Sequence, residues 1–99
     1  MSTVVAVQGE LTVFTVHALK DRLLNALMPG ETLMLNLDEV TEFDGAGLQL
    51  LLAAQREARQ RATAMCLQSP PPPLLAALEL TGLRTEFDIL PHDQEALQP

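Results

Sequence analysis

The chain has 99 residues, 47% of them hydrophobic, enough for one domain with a modest core. Thirteen acidic residues against six basic ones give a net charge of −7, which excludes the basic surface that nucleic acid or an anionic membrane demands. Tryptophan and tyrosine are absent and only three phenylalanines are present, so bases and sugars have almost no stacking platform.

No apolar run approaches the roughly 20 residues of a membrane helix, and Met1 to Val7 lacks the basic region and cleavage site of a secretory signal. The expectation is a soluble, cytoplasmic protein. The single cysteine, Cys66, cannot close an internal disulfide. It sits in an apolar stretch as a small hydrophobe, with no histidine or basic residue nearby to lower its pKa.

Thr3 to Gln8 reads as a strand whose β-branched run predicts burial on both faces. Gly9 punctuates it, and Glu10 to Val13 reads as a short second strand or a turn back. Val16, Leu19, Leu23, Ala26 and Leu27 recur at helical spacing, with Thr15 as N-cap and Met28-Pro29-Gly30 as the stop. His17 falls in the first turn as a surface residue, with no second ligand spaced for a metal.

Thr32 to Leu37 alternates leucine with Thr32, Met34 and Asn36, a second strand. Asp38 to Phe43 reads as a short acidic loop carrying Asp38, Glu39 and Glu42. Paired carboxylates suit metal binding or acid–base work, but no nucleophile or electrophile accompanies them, which favours a solvated loop.

The loop delivers the chain to its most informative stretch, Val40 to Gln60. Asp44 is placed to cap a helix whose first-turn amides and dipole favour a negative charge. Leu48, Leu51 and Leu52 form its apolar side, and Arg56, Arg59 and Arg61 crowd the end where positive charge is stabilised. Gly45 and Gly47 lower helix propensity by about 1 kcal/mol each relative to alanine. Two readings explain them: uncovered amides awaiting an anion, or close packing of the helix start on a neighbouring strand.

Thr63 to Leu67 reads as a third, buried strand. Four prolines follow Ser69; they suit a helix's first turn, and Leu74, Leu75, Leu78 and Leu80 continue it to a left-handed cap at Gly82. Some of that leucine surface is expected to stay exposed. Phe87 to Leu90 closes the sheet as an edge strand stopped by Pro91. The predicted order, β-β-α-β-α-β-α-β, is an α/β fold with a mainly parallel sheet of four to five strands covered by helices. Residues 1–91 form the domain, and residues 92–99 a short acidic, frayed tail. No Walker loop, dinucleotide fingerprint, nucleophile elbow or zinc spacing is present.

The pattern resembles the STAS family of bacterial anti-sigma factor antagonists and related signalling domains. Gly9-Glu10-Leu11 is similar to the family's Gly-Glu-Leu-Asp segment. Leu37-Asp38, Val40-Thr41 and Phe43 lead into Asp44-Gly45-Ala46-Gly47-Leu48, which stands where the family carries Asp-Ser-Ser-Gly-Leu. Leu78 to Leu83 resembles its final helix and cap.

The resemblance implies a non-enzymatic binding module without cofactor or metal. Its partner would be a protein such as an anti-sigma kinase, a chemotaxis component or a transporter ATPase, with a homodimer as a further possibility. The implied docking surface is Asp38, Glu39, Thr41, Glu42, Asp44, Gly45, Ala46, Gly47 and Leu48. In the antagonists a kinase phosphorylates the hydroxyl residue after the motif aspartate; here Gly45 holds that position and Ala46 the next, so the switch is missing. Thr41 is the nearest hydroxyl. The alternatives are a sensor of nucleotides or lipids, and the STAS subunit of a lipid-transport ATPase assembly.

Overall fold

The computed structural model describes residues 2–90. Four strands, β1 (Ser2–Leu11), β2 (Thr32–Phe43), β3 (Ala64–Gln68) and β4 (Asp88–Leu90), form one parallel sheet in sequential order. Three helices make the crossovers: α1 (Val16–Ala26), α2 (Gly45–Gln60) and α3 (Pro72–Leu80), with a 3-10 turn at Arg84–Glu86 before β4. Each crossover steps to the next strand in the same direction. Right-handed connections therefore stack all three helices on one face of the sheet.

Burial follows from that arrangement. Leu33, Leu35 and Leu37 of β2, Met65 and Leu67 of β3 and Val7 of β1 meet Leu19 and Leu23 of α1, Leu51 of α2 and Leu74 and Leu78 of α3 in one core. Each fully buried leucine contributes about 1.5–3 kcal/mol relative to an exposed one. Among the described residues no helix covers the other face of the sheet, where Val4 is 61% exposed and Cys66 only half-buried. The expectation that β1 is buried on both faces is therefore wrong, and β3, expected as a buried strand, is buried at Met65 and Leu67 but not at Ala64 or Cys66. A sequential parallel sheet with all its helices on one side covers only one face, and the alternation in β2 was the better guide. Partial burial, with the Asp88 carboxylate as a second influence, pushes the Cys66 thiol upward, away from reactivity.

Two further boundaries move. Glu10 and Leu11 continue β1, and no separate second strand exists among the described residues. Asp38 to Phe43 is not a loop but the continuation of β2, paired with Gln8 to Leu11. Two register shifts make this possible. Between Ala6 and Leu11 the partner on β2 advances from Asn36 to Phe43, so β2 carries two extra residues. The first shift lets Leu37 and Val40 both point into the core although they are three residues apart. There Asn36 Oδ1 accepts the Asp38 N–H at 2.9 Å, replacing a ladder bond. At the second shift Gly9 adopts φ +77°, a conformation that side chains rarely tolerate, and its carbonyl accepts the Thr41 hydroxyl at 3.3 Å.

Helix α2 is fixed at both ends. Buried Gln55 donates Nε2 to the Glu86 carbonyl at 2.8 Å, and Arg59 pairs with the Glu86 carboxylate at 3.3 Å. Arg61 bridges Glu57 at 2.9 Å and the Leu24 carbonyl of α1 at 2.9 Å. Two of the three arginines that the sequence assigns to the helix dipole, Arg59 and Arg61, thus also tie α2 to its neighbours. At the other end Gly47 lies on the last residue of β1: a Cβ there would overlap the Leu11 carbonyl and side chain. Of the two readings of these glycines, close packing is the correct one for Gly47.

Gly47→Ala is expected to destabilise the protein by about 1–3 kcal/mol in urea unfolding, the range for forced overpacking. Gly45 has open space around its Cβ position and no positive φ, so Gly45→Ala is expected to be neutral or stabilising by up to about 1 kcal/mol. Equal losses at the two positions would contradict the contact with Leu11.

Candidate partner-docking site

The carboxyl ends of parallel strands are where α/β sheets place their sites, because the chain leaves the sheet there through loops. Here β1 and β2 run past the end of β3 as a two-stranded ribbon and deliver two segments side by side. One is the turn from Thr12 to Thr15, the other the start of α2.

Asp44 joins them. Its backbone is extended, with φ −141° and ψ −174°, and its N–H donates to the Leu11 carbonyl at 3.3 Å. One carboxylate oxygen, Oδ1, accepts the Gly47 N–H at 3.0 Å and caps α2; the other, Oδ2, accepts the Val13 N–H at 3.0 Å from the turn after β1. These donors, Val13 foremost and then Gly47, hold its pKa below the ordinary carboxylate value of 3.8. The carboxylate therefore occupies the amide-rich helix start itself. An anionic ligand gains little where an internal anion already sits, which weighs against the uncovered-amide reading.

The turn after β1 is bonded internally. Thr12 Oγ1 donates to Glu10 Oε1 at 3.0 Å and accepts the Phe14 N–H at 3.2 Å. Thr15 Oγ1 donates to the Glu10 carbonyl at 3.0 Å and accepts the Thr12 N–H at 3.0 Å. Thr15 is the residue before α1 as expected, but its side chain makes no capping bond to the helix, because it is turned back into the loop.

The expected docking residues divide into two groups. Asp38, Glu39, Thr41, Glu42 and Gly45 are exposed, and Ala46 and Asp44 are half-exposed. Gly47 and Leu48 are buried and hold the helix in place; a partner does not reach them in this conformation. Glu39 accepts from Gln8 Nε2 at 3.0 Å across the ribbon, and Glu10 stands opposite Glu42 in the register. Among the described residues the ion pairs are Arg59–Glu86 and Arg61–Glu57, toward the opposite end of α2, so no carboxylate of this corner is ion-paired; Arg22 reaches β1 only at the Ala6 carbonyl, at 3.1 Å.

The sequence reading missed Val13 and Phe14. They are 56% and 88% exposed, beside Asp44 in the turn. The available signal was an apolar pair in Thr12-Val13-Phe14-Thr15, between a strand and a helix whose cores do not need it.

Asp44→Ala is expected to lower the melting temperature, and Asp44→Asn to lower it less, since the amide keeps one acceptor oxygen. A carboxylate whose pKa falls on folding stabilises fully above its unfolded value, near 3.8, and the contribution is lost as pH drops through the lower folded value. The gap between wild type and Asp44→Asn should thus close in acid. A gap that persists below about pH 2 would refute an ionic contribution.

A family model described as "Mlab, STAS domain" matches residues 1–91. Among solved structures, a putative anti-sigma factor antagonist from Thermotoga maritima is similar at 20% identity and TM-score 0.82, over 97% of this chain and 84% of that one. A STAS domain protein from Planctomyces limnophilus gives 18% identity and TM-score 0.79, over 97% and 87%. The Bacillus cell fate determinant SpoIIAA in its phosphorylated form gives 22% and 0.69, also over 97% and 87%. Among curated proteins no match is found. At these identities the structural likeness is one of fold. The family match over residues 1–91, on a four-stranded parallel sheet of that fold, assigns the chain: it belongs to the STAS family, in the group described as "Mlab, STAS domain".

Proposed function

We propose that this STAS domain is a non-enzymatic docking module that binds a protein partner through the corner around Asp44 and carries no phosphorylation switch there. The observation that carries the reading is Gly45. It is exposed, has open space around it, and stands directly after the capping aspartate, where the family resemblance places a hydroxyl. The scaffold that presents this position is intact, with Asp44 bonded to both flanking segments and Gly47 seated on Leu11. Only the acceptor atom is missing.

The chemistry of the corner agrees with docking rather than turnover. Thr41 Oγ1 donates to a backbone carbonyl, and among the described residues no base is bonded to it. An anti-sigma kinase, a chemotaxis component and a transporter ATPase are the partner types in view, and binding would be constitutive, set by expression or by the partner's own state. The sensor reading has less support, because Asp44 fills the helix start and the surrounding carboxylates repel phosphate.

The test is capture from host lysate on the immobilised full chain, followed by mass spectrometry. Gly45→Trp should fold, as a circular dichroism melt would check, since a Cβ there meets nothing within 4 Å, yet stand over the helix start and reduce retention of the partner by about tenfold or more, the loss of an interface hot spot. Undiminished retention would place docking elsewhere. With lysate and ATP, the wild type should gain no phosphate in this corner, whereas Gly45→Ser should gain it where a cognate kinase is present. Phosphate on wild-type Thr41 would mean that the switch has moved.

A further inference from the structure

We infer that Phe14, with Val13 beside it, is the apolar anchor of the docking corner, and that it fits a partner protein presenting an apolar pocket rimmed by lysine and arginine. The inference rests on the docking reading above and adds the residue that anchors it and the chemistry of the surface it meets.

Phe14 is 88% exposed, whereas Phe43 is half-buried and Phe87 buried. Its exposure is not that of a loose loop. The Phe14 N–H is held by Thr12 Oγ1 at 3.2 Å, and the neighbouring Val13 N–H by Asp44 Oδ2 at 3.0 Å. A ring presented on a bonded turn loses little further backbone entropy on binding, which is what a hot-spot residue needs.

The surroundings select the partner. The Glu10 carboxylate is linked to the Phe14 amide through the single Thr12 hydroxyl. Glu42 stands opposite Glu10 in the register, so two carboxylates share this end of the ribbon. Asp38 and Glu39 continue the negative charge along β2, and among the described residues none of the four is ion-paired. Cations around an apolar pocket complement that charge while the ring is buried, and an arginine over the ring adds a cation–π contact. Phosphate-bearing surfaces are repelled. A second copy docking through the same corner is also disfavoured, since a two-fold interface would set these carboxylates against themselves.

The experiment uses the immobilised full chain in host lysate at about 50 and about 300 mM NaCl, a range over which the Debye length roughly halves. Wild type, Phe14→Ser, Phe14→Leu and the pair Glu10→Gln/Glu42→Gln are compared, with a photo-crosslinking phenylalanine analogue at Val13. Circular dichroism melts check that the variants fold. Phe14→Ser should lose about tenfold or more of the retained partner, and Phe14→Leu much less. Wild-type retention should fall with salt, and the double glutamine variant should show a weaker salt dependence. The crosslink should map to an apolar stretch flanked by lysine or arginine. The inference is overturned by a partner retained equally by Phe14→Ser, by retention indifferent to salt, or by a crosslink to an acidic segment. If the wild type retains nothing, the docking reading fails as well, which separates the two failures.

Discussion

The Asp44 carboxylate is the interaction on which the rest of this corner depends. With one oxygen on the Gly47 amide and the other on the Val13 amide, it joins the start of α2 to the turn that follows β1. Neither segment is adjacent to the other in sequence, and each alone would leave an amide without a partner at the end of the sheet. The bond pair also orients what the corner displays. It fixes Gly45 in the open and holds the turn from which Phe14 projects.

That arrangement requires α2 to sit unusually close to β1. Gly47 permits the approach, since any side chain there would collide with Leu11. The low helix propensity of a glycine-rich first turn is thus offset by packing rather than by a ligand. Gly45 differs, because nothing crowds it. Two glycines two residues apart serve different ends, one steric and internal, the other a bare surface where related proteins are expected to carry a hydroxyl.

The ribbon formed by β1 and β2 explains why the corner is acidic and yet ordered. Each register shift places an extra residue on β2, and each is stabilised locally, by Asn36 at the first and by Gly9 with Thr41 at the second. Carboxylates that would be tolerated in a solvated loop are instead fixed on a strand, with Glu42 beside Glu10. Carboxylates fixed on a strand suit a complementary cationic surface, and it is this fixation that gives the exposed Phe14 a defined electrostatic frame.

The helices, the caps at Asp44 and Gly82 and the resemblance to the family were legible in the sequence, because they rest on local signals: leucines at helical spacing, aspartate before a helix, glycine after one, and short motifs in order. The Thr15 cap was not, since its hydroxyl turns back into the loop. Helix α2, the Gly82 cap at φ +74° and the edge position of β4 follow from such signals. What the sequence could not supply was anything set by contacts between distant segments. The acidic stretch Asp38 to Phe43 has the composition of a loop and becomes a strand only because β1 offers a partner and two register shifts absorb the mismatch. The valines of β1 suggest two buried faces, but which faces are covered depends on where all three crossover helices stack. Phe14 left only the weak signal of an apolar pair between two elements, since the turn that presents it is held by Asp44 reaching across to the Val13 amide. Composition and periodicity determined the elements, and short motifs in order carried the resemblance to the family; pairing register and the Asp44 bridge, which exist only in the folded chain, determined the site.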